Sequence, residues 1–154
     1  MKPARYFSLI AGIFFLTLGL LGFVPAFVSQ PEQIPEAIAK FGIIGDYGYL
    51  FGFLPISAGH NIIHIVVGVL GIATTISLDG ARLYAGIMAV SFGLLTVLGV
   101  LPLAKTLFGI APLYGSAVVL HGATAAIAAY FGFFAKPDLL RIYDQQLGEE
   151  STTS

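Results

Sequence analysis

Charge divides this chain into long uncharged stretches. Its seven basic and eight acidic residues cluster, and the gaps between the clusters run over residues 6–31, 47–78, 83–104 and 106–135. Each gap can hold the roughly 20 apolar residues that carry a helix across a bilayer. Only 10% of the residues are charged, against roughly 25% in a soluble domain, and 57% are hydrophobic, with mean hydropathy +0.93. Such a chain cannot cover a water-facing surface. It reads as an all-α integral membrane protein with one transmembrane domain over residues 1–154 and spans at about 6–27, 57–78, 83–103 and 116–135. A net charge of -1 gives no footprint for nucleic acid and no polybasic lipid patch. The absence of Cys excludes disulfides, thiolate metal sites and a Cys nucleophile.

Lys2 and Arg5, an apolar run and Ala26-Phe27-Val28 resemble a signal peptide, but the run exceeds the roughly 7–15 apolar residues usual there. It is read as a retained helix. Four spans put both termini on one side, with Lys2, Arg5, Arg82, Lys136 and Arg141, and leave Lys40 and Lys105 on the other. The positive-inside bias places the termini in the cytoplasm. The expected location is a bacterial inner membrane, or a thylakoid membrane in a cyanobacterial source. Asp79-Gly80 reads as a cytoplasmic turn. Residues 28–56 read as a long outside loop with one short helix near Glu36–Phe41. Residues 136–154 read as a cytoplasmic tail, with a short surface helix after Lys136.

One motif occurs twice. Residues 50–64 read LFGFLPISAGHNIIH and residues 107–121 read LFGIAPLYGSAVVLH, agreeing at Leu, Phe, Gly, Pro and the final His. Residues 18–25 (LGLLGFVP) resemble 95–102 (LTVLGVLP) in the same way. The chain therefore reads as two tandem parallel helical hairpins forming a bundle, related by a pseudo-twofold along the membrane normal. Below the histidines lie two stripes of small residues, Gly68 and Gly71 in one copy and Ala125, Ala128 and Gly132 in the other. Small residues let transmembrane helices approach closely. The second and fourth helices, or each with a neighbour, are expected to pack there.

All three histidines belong to this repeat. His64 and His121 should lie roughly 8–10 Å below their helix starts, with His60 one turn above His64. Ionisable groups at that depth face the bundle interior or a wet cavity. His60, His64 and His121 form a candidate metal set, and with Asn61 a candidate cofactor set for haem, another tetrapyrrole or a transition metal. The alternative is structural. A neutral imidazole donates one hydrogen bond and accepts one, and the histidines can bond one another, Asn61, Ser57, Ser116 or carbonyls near Pro55 and Pro112. No intramembrane acid accompanies them, which leaves a divalent cation uncompensated and weighs against proton-coupled transport.

The chain resembles the bacterial four-helix membrane proteins grouped as domain of unknown function 4383. The resemblance rests on Arg-Tyr-Phe-x-Leu-x-x-Gly at 5–12, the GYLFGFLP-x4-His-Asn-x-x-His run at 48–64, Ala-Arg-x-Tyr-Ala at 81–85 and LFG-x-x-P-Leu at 107–113. It implies four helices in a bacterial membrane and supplies no activity. Three readings follow. The first is a non-enzymatic membrane subunit or scaffold, partnered by lipid and other membrane subunits, with no catalytic residues. The second is a haem-, metal- or other cofactor-binding redox protein using His64 and His121. The third is a small transporter or channel.

Overall fold

A computed structural model describes residues 2–135. The expected tail and its surface helix lie outside these residues. Three helices are long and apolar enough to cross a membrane: α1 (Pro3–Leu21), α4 (Leu78–Val100), and a 19-residue segment, Ser116–Phe134. The last joins α5 (Ser116–Ala129) to a wider π-type turn, Tyr130–Phe134. A fourth apolar helix, α3 (Ala58–Thr74), has 17 residues. At 1.5 Å per residue it is about 25 Å long, short of the roughly 30 Å hydrocarbon core.

Three expected boundaries move. The first span ends at Leu21, not Phe27, because the chain meets Gly22 and then Pro25. Pro25 offers no amide hydrogen and drives Val24 into extended backbone (φ -96°, ψ 110°). Asp79-Gly80 is not the turn. Ser77 caps α4 by accepting a 3.0 Å hydrogen bond from the Gly80 amide, so both residues lie in the first helical turn. Asp79 there complements the helix dipole. The loop over 28–56 contains the short helix, α2 (Glu36–Phe41), but also strands.

Those strands are β1 (Val28–Ser29), β2 (Tyr47–Leu50) and β3 (Leu54–Ser57), an antiparallel sheet in the order β1-β2-β3. Leu50 pairs with Leu54, and Tyr47 with Ser57. The hairpin turns through Phe51 and Gly52, both left-handed (φ 53° and 78°). Alternation puts Leu50, Leu54 and Ile56 on one face, buried with Ala117 against Leu18, Leu21 and Leu120. The sheet therefore caps the end of the bundle where α1 stops and α5 starts.

Close contact orders the helices. A Cβ on Gly12 of α1 would stand 2.6 Å from the Ile72 amide nitrogen, and one on Gly71 of α3 would stand 2.7 Å from Gly12 Cα. Ser8 Oγ donates to the Gly71 carbonyl (2.6 Å), and Arg5 Nε donates to the Thr75 carbonyl at the α3 end (2.6 Å). On the other side, a Cβ on Gly132 would stand 2.7 Å from the Gly86 amide nitrogen of α4. The small-residue stripes thus seat α3 on α1 and the last helical segment on α4. The main core lies between, with Phe7, Phe15, Tyr84, Met88 and Phe92 packed over Ala85 and Ala128. Phe15 of α1 fills the core, while Phe14 and Phe23 are exposed. The outward sides of the helices carry exposed apolar residues such as Ile10, Val66, Leu83, Ile87 and Val119, the surface a bilayer requires.

Candidate metal centre

β3 runs directly into α3, and Ser57 marks the join. Its hydroxyl oxygen accepts from the His60 amide (3.2 Å) and donates to the Ile110 carbonyl (2.7 Å). One group thus caps the helix and ties it to the loop that precedes α5. A second tie runs the opposite way, from Ser116 Oγ at the start of α5 to the Phe53 carbonyl (2.5 Å). Phe53 and Ile110 hold the same offset in the two motif copies. These ties fix the depth of one helix start against the other.

From that frame His60 and His64, one turn apart on α3, meet His121 on α5. Ring centroids are 4.3 Å apart for His60 and His64, 5.5 Å for His60 and His121, and 6.4 Å for His64 and His121. Each ring offers one nitrogen such that no two are more than 4.8 Å apart. All three residues are at most 2% exposed. Five imidazole nitrogens, both of His60, both of His64 and Nδ1 of His121, are buried without a hydrogen-bond partner. The Pro55 carbonyl approaches His60 without the geometry to satisfy a nitrogen.

Aromatic walls close the cluster. Phe92 stands edge-on to His121 (5.1 Å, 89°), and Phe15 tilts against His64 (5.1 Å). Ile63, Leu95, Leu107, Ala111 and Leu113 complete the lining. The free volume inside is about 10 Å³, the smallest space that holds one water. A single ion fits. A haem or other tetrapyrrole does not, because no slot for the macrocycle separates the rings.

The site differs from expectation in one residue. Asn61 does not join the histidines. Its side chain packs on Gly22, where a Cβ would collide with it, and it lines a separate recess of about 400 Å³ with Gln30, Asp46 and Tyr47. The step from residue 60 to 61 turns a helix by about 100°, so the two residues face different neighbours. Ser57 and Ser116, weighed as histidine partners, spend their hydroxyls on carbonyls instead. Phe15 and Phe92 were not anticipated as walls, since nothing in an apolar run marks which Phe faces a histidine. Outside the helices, burial pushes the Tyr114 phenol up, and the neighbouring Tyr49 adds to it. Burial does the same to Tyr47. Both therefore stay neutral at physiological pH.

A family model described as a domain of unknown function (DUF4383) matches residues 5–134. The chain belongs to that family. No curated protein and no solved structure matches it.

Proposed function

We propose that this DUF4383 protein is a multipass membrane protein whose working centre is a metal ion held by His60, His64 and His121. The observation that carries the reading is the set of five buried, unpartnered imidazole nitrogens beside a cavity of one-ion size. A buried polar atom left without a partner costs about 1–3 kcal/mol. Native interiors avoid that cost, and here it recurs on three converging rings. A cation satisfies one nitrogen of each ring by accepting its lone pair, and leaves the second nitrogens of His60 and His64 as N–H groups. If every nitrogen separation stood at the 4.8 Å limit, the centre of the triangle would lie about 2.8 Å from each corner. Metal–imidazole bonds of roughly 2.0–2.1 Å then need each nitrogen to move inward by about 0.7 Å, within reach of small ring rotations.

The structural reading of the histidines has less support. It needs hydrogen bonds among the rings or to Asn61, Ser57 and Ser116; the ring nitrogens are unpartnered, the two serines bond carbonyls, and Asn61 faces Gly22. In the same proposal α3 is the fourth span, its short length made up by the buried β3 residues that precede it. The chain is then two parallel hairpins, α1 with α3 and α4 with α5, with cytoplasmic termini in a bacterial inner membrane. The left-handed Phe-Gly pair in each motif copy favours that duplicated plan, as does the matching offset of the two carbonyls, Phe53 and Ile110, that accept from Ser116 and Ser57.

Metal analysis of the full chain purified in mild detergent tests the site. One ion per chain is expected, lost in His64→Ala and in His121→Ala. A metal-free protein whose thermal stability does not respond to any added transition metal would return the histidines to a structural role.

A further inference from the structure

The metal reading leaves the ion unnamed, and the following rests on that reading. We propose that the three-histidine centre selects cuprous copper, a monovalent ion held by three nitrogens, over divalent ions.

Charge is the first reason. The donor set is three imidazoles, and no Asp or Glu lies with them among the described residues. The acids Glu32, Glu36, Asp46 and Asp79 lie in the outside loop or at the start of α4. Neutral ligands leave the ion its full charge. The cost of moving an ion from water into a low-dielectric interior grows with the square of its charge, so a divalent ion costs about four times a monovalent one of similar size. The Phe15 and Phe92 walls make this interior apolar.

Coordination number is the second reason. The free volume of about 10 Å³ beside the rings is filled by the ion itself, with no room for a fourth ligand of water size. Zinc is almost always four-coordinate, closing its shell with water or another side chain. Magnesium and calcium take six or more oxygen ligands, and cupric copper a tetragonal set. Cuprous copper is a d10 ion without a ligand-field preference and is satisfied by three donors. Sodium and potassium share its charge but are hard ions that take oxygen rather than imidazole nitrogen. Binding is a ligand exchange in which neutral rings replace the ion's previous ligands, and no electron is transferred.

The test is an anaerobic titration of the detergent-solubilised full chain with Cu(I) buffered by bathocuproine disulfonate. Parallel titrations use Ag(I), a redox-inert d10 surrogate, and Zn(II). The expected result is one Cu(I) per chain with an X-ray absorption edge of three-coordinate nitrogen type. Ag(I) should bind at the same stoichiometry, and Zn(II) about 100-fold or more weakly, as the larger charging cost requires. His60→Ala and His121→Asn should each lose Cu(I). They provide two routes in case one variant fails to fold. Leu113→Ala, which opens space beside the rings, should narrow the Cu(I)-over-Zn(II) preference at least tenfold. Stoichiometric Zn(II) with affinity equal to or above that of Cu(I) overturns the selectivity and leaves the three-histidine site standing. Binding of none of the three ions overturns both. Cu(I) retained in both histidine variants puts the ion elsewhere and also overturns both.

Discussion

The two Leu-Phe-Gly-x-x-Pro segments part company after a shared turn. Phe51 and Phe108 are both left-handed (φ 53° and 56°), and so are Gly52 and Gly109 (φ 78° and 85°). Beyond the turn, Leu54–Ser57 pairs with β2 in a sheet. Its counterpart, residues 111–114, has no strand to meet. It folds back on its own approach, with the Leu113 amide donating to the Lys105 carbonyl (2.6 Å) and the Ala111 amide to the Thr106 carbonyl (3.2 Å). Residues 54–57 and 111–113 are buried, so their amides must find partners somewhere. The first copy is preceded by the long loop between α1 and α3, which supplies β1 and β2. The second has no such insertion. Different hydrogen-bonding routes still deliver a helix with a histidine at the same offset, and that shared outcome is what the turn, the Pro and the His preserve.

Gly59 breaks the equivalence most sharply. It corresponds to Ser116, yet a Cβ on Gly59 would stand 2.6 Å from the Ile110 carbonyl oxygen. Gly59→Ser, which makes the copies alike on paper, should therefore destabilise by about 3 kcal/mol through overpacking against backbone. Ser116→Gly, the reverse exchange, should cost about 1 kcal/mol, the worth of one hydrogen bond. Thermal unfolding of both variants in detergent checks the pair. Equal losses would mean the two helix starts are packed alike.

The serine ties come next. Ser57→Ala removes a helix cap and a donor to Ile110 at once and should cost about 2 kcal/mol. It should also weaken metal affinity about 10-fold, as loss of a positioning contact does, because His60 hangs from that cap. Ser116→Ala loses only its bond to Phe53 and should cost about 1 kcal/mol, with metal binding changed less. Metal titration beside the melting curves separates the two effects. A Ser57→Ala variant with parental affinity would show that His60 needs no help from its cap.

Much of this comparison was legible in the residues themselves. The uncharged gaps marked the helices, and the His-x3-His spacing with a repeated His marked the cluster, because helix periodicity and the cost of buried imidazole act locally. Glu36–Phe41 announced its helix in the same way. The β2-β3 hairpin was hidden because an apolar run fits a strand or the start of a span equally well. The alternation that separates Tyr47 and Tyr49 from Gly48 and Leu50 is only four residues long. The partners of the glycine stripes were also hidden. Gly71 shows only that something comes close, and whether that is Gly12 on α1 or a residue on α5 depends on the tertiary arrangement. Asn61 could have been placed off the histidine face from the helical step alone.

The smallest effect probes the turn itself. A non-glycine residue in the left-handed region carries roughly 1–2 kcal/mol of steric cost, which glycine does not, though glycine forfeits about 0.5–1 kcal/mol in chain entropy. Phe108 is 88% exposed, so Phe108→Gly gives up little packing and should stabilise by about 0.5 kcal/mol. Phe51 is 52% exposed and packs tilted against Phe27, with ring centroids 5.7 Å apart, and Phe51→Gly loses that contact. Aromatic pairs contribute about 0.5–1.5 kcal/mol, enough to cancel the relief of strain, so this variant should melt at or slightly below the parent. If both variants gain equally, the Phe27 contact contributes nothing. If Phe108→Gly loses stability, then Phe108 is held by the bilayer interface, and the second turn keeps its strained phenylalanine as an anchor where the first keeps it as part of the sheet.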